Sequence, residues 1–211
     1  MKSREINSLF KNLSKVIKNP KTDLKYKNKF TLLISVVLSA QCTDVNVNNV
    51  TKKIYKSYNR PEHFVKLGRK KIETLIKKIN FFRNKAKSIY LLSKQLIEDH
   101  NSEVPKNFEK LIDLPGVGRK TASVVLNEGF GLPTIAVDTH VFRVSNRTGL
   151  ARGKNPDEVQ ENLYKVVPKK YQRKAGHTLL LHGRYTCKAR TPSCKTCVII
   201  KYCKYKNKEL R

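Results

Sequence analysis

From Ile6 to Tyr185 the apolar residues of this chain recur three and four positions apart, with no convincing alternating run, so they can be buried together only as helices. Ile6, Leu9, Phe10, Leu13, Val16 and Ile17 form the first stripe, which Asn19-Pro20 ends. Phe30 to Ala40 is apolar nearly all round, the pattern of a core helix. Thr43 is placed to cap a following helix whose Val45, Val47, Val50, Ile54 and Tyr58 are expected to face inward. The same stripe continues in Ile72 to Ile79, Lys85 to His100, Phe108 to Leu114, Arg119 to Phe130, Thr139 to Gly149, Pro156 to Val167 and Arg173 to Tyr185. Gly, Pro or Asn breakers separate these segments. The spacing predicts an all-α fold of about ten short helices.

Charge narrows the partner. The chain has 211 residues, with 45 Lys and Arg against 16 Asp and Glu, a formal net charge of +29. Its 39% hydrophobic residues can fill a real core, which excludes a disordered basic tail. A polyanion is the expected partner, nucleic acid before an anionic membrane surface. Part of the excess is compositional, because 33 of the basic residues are Lys, and Asn and Ile are also abundant, the set that AT-rich codons encode. Met1 to Asn19 carries charges throughout and no apolar signal core, and Phe30 to Ala40 is far shorter than the roughly 20 residues of a membrane span. A cytoplasmic protein without a membrane segment is expected.

Four of the five cysteines, Cys187, Cys194, Cys197 and Cys203, stand as Cys-x6-Cys-x2-Cys-x5-Cys within a stretch that has no carboxylate between Glu161 and Glu209. In a reducing compartment such a group binds metal rather than forming disulfides. Four thiolates suit zinc or an iron-sulfur cluster; one Cys-x2-Cys flanked by longer arms, instead of two short knuckles, favours a 4Fe-4S cluster. Lys188 and Arg190 lie in the loop closed by the first two cysteines, where a rigid loop would present them to phosphates. Cys42, far away, reads as a small buried core residue.

Leu111 to Leu126 reads helix, tight hairpin, helix, around Leu114-Pro115-Gly116-Val117-Gly118-Arg119-Lys120. Gly116 and Gly118 permit a turn that a side chain would block and a close approach of backbone to ligand. The turn amides and the positive end of the second helix make a seat for phosphate that is blind to sequence. Lys120, beside Arg119 at that positive end, sits where a cation is disfavoured, and a nucleophilic amine must be neutral. Asp138, eighteen residues on, is placed to cap the next helix while remaining an ionised carboxylate able to take a proton or steady a sugar cation. His140 reads as a packing residue.

Taken together, the hairpin, Lys120, Asp138 and the cysteine spacing resemble the bacterial endonuclease III family of the helix-hairpin-helix DNA glycosylase superfamily, its iron-sulfur-containing branch. Leu38-Ser39-Ala40-Gln41 with Thr43-Asp44, Leu114 to Val125, Ile135 to His140 and Leu181 to Cys187 carry the resemblance, which spans essentially the whole chain. It implies two helical lobes with DNA bound in the cleft between them. One is a six-helix barrel over about 21–131, with its hairpin over about 108–130; the other is a cluster lobe from 1–20 plus 132–211. It implies a monomeric, bifunctional enzyme that removes oxidised pyrimidines from double-stranded DNA and cleaves the abasic site by β-elimination through a Schiff base on Lys120. By the same carry-over Gln41 fills the space left by the flipped nucleotide and Phe81 wedges the opposite strand. The alternatives are an adenine-mismatch glycosylase, whose members usually lack this lysine and carry a further domain, and a non-catalytic DNA-binding module, which would have no use for Asp138. Two positions depart from the family pattern: Asn80 where Gly is common, tolerable if a left-handed backbone is needed there, and Cys42 where Ala is common.

Overall fold

The computed structural model describes residues 1–209, and its regular elements are all helical. They are α1 (Ser3–Val16), α2 (Lys29–Ser39), α3 (Asp44–Ser57), α4 (Pro61–Leu75), α5 (Phe82–His100), α6 (Phe108–Ile112), α7 (Arg119–Phe130), α8 (Thr139–Thr148), α9 (Pro156–Val166) and α10 (Lys169–Tyr185), with a 3-10 turn at Ile200–Tyr202. The chain divides into two compact units, residues 23–130 and residues 1–22 with 131–211.

In the unit 23–130, α2 is the central element. Phe30 through Leu38 are all buried, as the unbroken apolar run requires, and α2 packs against α3, α5 and α7. Its start is fixed by a reciprocal cap: the Asn28 side chain accepts from the Thr31 amide at 2.9 Å, and the Thr31 hydroxyl accepts from the Asn28 amide at 3.0 Å. The buried polar groups of α2 are satisfied internally. Tyr55 of α3 donates its hydroxyl to the Thr31 carbonyl at 3.0 Å and lies 2.7 Å from the Ser35 hydroxyl, and burial pushes the phenol far above its ordinary range.

Four details of the helices differ from the periodicity. Thr43 does cap α3, but the buried face is Val47, Thr51, Ile54 and Tyr55, and Val45 is 70% exposed. Two residues from Val47 is about 200° around a helix, so Val45 cannot share its face. Val16, at the last turn of α1, is likewise exposed. The segment Ile72 to Ile79 is helical only to Leu75; α4 starts much earlier, at Pro61, and breaks at Gly68, whose φ of 70° no continuous helix allows. Ile76 and Ile79 still reach the core, from a turn rather than a helix. Cys42 is half-buried beside the start of α3, not a core residue, because the turn that holds it is at the surface.

The unit built from both chain ends has its own core. Ile6, Leu9, Phe10 and Leu13 of α1 join Val141 and Val144 of α8, Val159 and Leu163 of α9, Leu179 of α10 and Ile199. Phe10 stacks on Tyr171 with ring centroids 5.3 Å apart. α10 and α8 approach closely because Gly183 has no side chain; a Cβ there would lie 2.9 Å from that of His140. The segment leading to α8 has no helix of its own. It is held by Gln160, whose amide donates to the Ile135 carbonyl at 2.6 Å, and by the Tyr164 hydroxyl, which accepts from the Ile135 amide at 3.0 Å.

Candidate active site and cysteine centre

The hairpin joins α6 to α7. Asn107 caps α6 by accepting from the Lys110 amide at 2.9 Å, and Leu111, Leu114, Val117 and Ala122 are buried beneath the turn. Its two glycines have different reasons to be glycine. Gly116 has φ 80°, and a Cβ there would stand 2.6 Å from the Ser88 Cβ, so both backbone and packing exclude a side chain. Gly118 meets nothing within 4 Å. Only something approaching from outside would profit from the missing Cβ. Arg119 lies with its guanidinium 5.1 Å from the Phe108 ring centre, bridging the two helices of the hairpin. Lys120 is exposed in the first turn of α7.

In the other unit, Asp138 caps α8: its Oδ1 accepts from the Val141 amide at 2.8 Å, and the residue is half-buried. His140 pairs with the Arg143 guanidinium at 3.1 Å and packs below Gly183, a structural place.

Gln41 and Phe81 both have left-handed backbones, φ 53° and φ 58°. Phe81 is 61% exposed at the start of α5. Asn80 does not share that conformation, so its tolerance of a left-handed backbone is not what suits it to the turn. Instead its side-chain amide donates to the Gln41 carbonyl at 2.8 Å. Lys85 of α5 also reaches this turn, donating to the carbonyls of Leu38 at 2.8 Å and Ala40 at 2.6 Å. It thereby closes the C-terminal end of α2, and burial pushes its ammonium below the usual lysine range.

Cys187, Cys194, Cys197 and Cys203 line one cavity with His182, Pro192, Ile199 and Ile200. Among the described residues, no three His, Cys, Asp or Glu side chains converge to hold a single metal ion. Four soft sulfur donors around one cavity are a donor set that an iron-sulfur cluster or zinc accepts. Burial above all, helped by the neighbouring sulfurs, pushes the Cys197 and Cys203 thiols up, so their thiolate form calls for a cationic guest. Burial likewise holds His182, 3.8 Å from the Cys197 sulfur, down to about 4, which leaves it neutral at neutral pH. Arg147 of α8 organises the first arm of the loop, donating to the carbonyls of Lys188 at 2.6 Å and Ala189 at 2.7 Å and lying 3.8 Å from the Cys187 sulfur. Arg143 donates to the Cys187 carbonyl at 3.0 Å. Lys188 and Arg190 are exposed on that arm.

Lys85, Arg143 and Arg147 are the residues that sequence reasoning misses around these sites. The pattern of arginines at 143 and 147, one helical turn apart on the helix that Asp138 caps, is the one local signal among them.

Comparison with known proteins identifies one family and several relatives. The family described as HhH-GPD superfamily base excision DNA repair protein matches residues 34–169. The chain is 51% identical to endonuclease III of Rickettsia conorii, over 97% of this chain and 98% of that protein. It is 52% identical to endonuclease III of Escherichia coli K12, over 90% of each. A solved structure of a trapped endonuclease III–DNA covalent intermediate superposes with a TM-score of 0.93 at 40% identity, covering 100% of both chains. A thermostable thymine-DNA glycosylase, at 24% identity and a TM-score of 0.86, shares the fold.

Proposed function

The chain belongs to the endonuclease III family of the HhH-GPD base excision DNA repair superfamily, and from that membership we propose how its residues divide the work of a DNA glycosylase and abasic-site lyase. Lys120 is the nucleophile. Its unprotonated Nζ attacks C1′ of the damaged nucleotide as the bond from C1′ to the base breaks and the base departs. Asp138 accepts the proton that the amine releases and balances positive charge on the sugar. The C1′–O4′ bond then breaks, with O4′ taking up a proton, to give the Schiff base, which acidifies C2′; loss of a C2′ proton and rupture of the C3′–O bond, with the 3′ phosphate leaving, complete β-elimination. The observation that carries this assignment is the setting of Lys120, exposed in the first turn of α7 directly after a turn whose Gly118 leaves open space.

The partner in this reading is double-stranded DNA containing oxidised pyrimidines or abasic sites, acted on by a monomer in the cytoplasm. Gly116, Gly118 and Arg119 seat a phosphate; Gln41 and Phe81 enter the duplex around the flipped nucleotide; Lys188 and Arg190 meet the backbone beyond. Cys187, Cys194, Cys197 and Cys203 hold a 4Fe-4S cluster, which when bound ties together the arms of a loop otherwise poor in large apolar residues.

Borohydride trapping on duplex DNA containing thymine glycol tests the assignment. A covalent adduct is expected with the natural chain and none with Lys120→Ala. An adduct that persists in Lys120→Ala would overturn it.

A further inference from the structure

Two segments of the unit 23–130, far apart in sequence, are laced together side by side. Asn80 donates its side-chain amide to the Gln41 carbonyl at 2.8 Å. One helix face away, Asn46 of α3 donates its amide to the Lys78 carbonyl at 3.1 Å and lies 3.2 Å from the Cys42 sulfur. Lys85 adds its two bonds to the carbonyls of Leu38 and Ala40. Asn80 thus links the turn that bears Phe81 to the turn that bears Gln41, Lys85 links the helix that Phe81 opens to the backbone just before Gln41, and Asn46 reaches both turns from α3.

Both Gln41 and Phe81 have left-handed backbones without being glycine, a conformation that relaxes unless neighbouring contacts hold it. At Gln41 the side-chain contact that meets the backbone carbonyl itself comes from Asn80. Asn80 and Cys42 both sit on these links: the first supplies the amide, and the second a sulfur facing Asn46.

We propose that Asn80 is a positioning residue for base extrusion, holding the Gln41 backbone in its strained conformation and coupling the Gln41 turn to the Phe81 turn so that the two enter the duplex as one clip. The inference rests on the roles proposed above for Gln41 and Phe81. Asn80 acts through Gln41 and touches no reacting atom.

The test is a double-mutant cycle read by single-turnover excision of thymine glycol from duplex DNA. Asn80→Ala is expected to slow excision about three- to tenfold, the worth of one hydrogen bond. Asn80→Asp, which presents a carboxylate to the same carbonyl, slows it at least as much. The bond is at the surface, so the thermal midpoint of Asn80→Ala is expected within about 2 °C of the natural chain. In the Gln41→Ala background, adding Asn80→Ala is expected to cost clearly less than it does in the natural chain. Independent, multiplicative losses would overturn the proposal, as would a silent Gln41→Ala or a silent Asn80→Ala. A natural chain that forms no borohydride adduct would instead sink the functional reading on which the proposal rests.

Discussion

At the scale of single residues, the hairpin separates two requirements that look identical in the sequence. Gly116 is fixed by the fold, since its φ of 80° and the Ser88 Cβ at 2.6 Å both exclude a side chain. Gly116→Ala is therefore expected to destabilise the protein by about 1–3 kcal/mol, measured by urea denaturation. Gly118 meets nothing, and Gly118→Ala is expected to change stability by less than about 0.5 kcal/mol. Its DNA affinity, measured by fluorescence anisotropy, should fall about three- to tenfold, as one phosphate hydrogen bond is obstructed. Equal loss of stability in both variants would show that the distinction is false. Tyr55 gives a second residue-level expectation. Its folded pKa is raised by burial, so the protonated phenol contributes stability that is fully present below the ordinary tyrosine pKa of about 10 and is lost as pH rises towards the folded value. Melting temperatures of the natural chain should fall steeply above about pH 10, and those of Tyr55→Phe, lower at neutral pH, should fall less.

At the scale of elements, the cysteine arm depends on α8 as well as on its own cysteines. Arg147 fixes the Lys188 and Ala189 carbonyls from outside the loop. Arg147→Ala is expected to lower iron content and solubility, though by less than Cys194→Ser, and the absorbance of purified protein with an iron assay would show it. What the sequence makes legible here follows from range. Asp138 as the cap of α8, Thr43 as the cap of α3 and the limits of α7 could be read because a cap is settled within four residues of the chain. The inward face of α3 could not, since whether Val45 or Thr51 turns inward depends on where α2 lies. The break at Gly68 hides in a run of acceptable helix formers. Asn80 is the sharpest case: its partner is 39 residues away, so a local reading sees only a tolerable substitute for glycine and not a donor aimed at Gln41.

At the scale of the whole molecule, the charge of +29 exceeds what the sites described can use. Arg119, Lys188 and Arg190 lie where phosphates are proposed to sit, while many lysines are exposed along the outer faces of α4 and α5. Affinity for undamaged duplex should fall linearly on a log-log plot against salt, with a slope of about −0.9 per phosphate neutralised. Replacing Lys188 with Ala should reduce that slope by about one; replacing an α4 lysine such as Lys71 should leave it unchanged. A slope indifferent to Lys188 would remove the cysteine arm from the DNA contact surface.

The seam between first and last helices has a consequence for synthesis. α1 precedes the whole unit 23–130 in the chain, yet the α10 it packs against, and the Ile199 that completes the same core, lie beyond that unit. While the ribosome works through the intervening unit, the stripe of Ile6, Leu9, Phe10 and Leu13 has no final partner. A chain that stalls before α8 thus carries an apolar stripe whose core partners on α8, α9 and α10 have yet to be made. Such a fragment is expected to be open to proteolysis at α1 even when the hairpin between α6 and α7 has already been made.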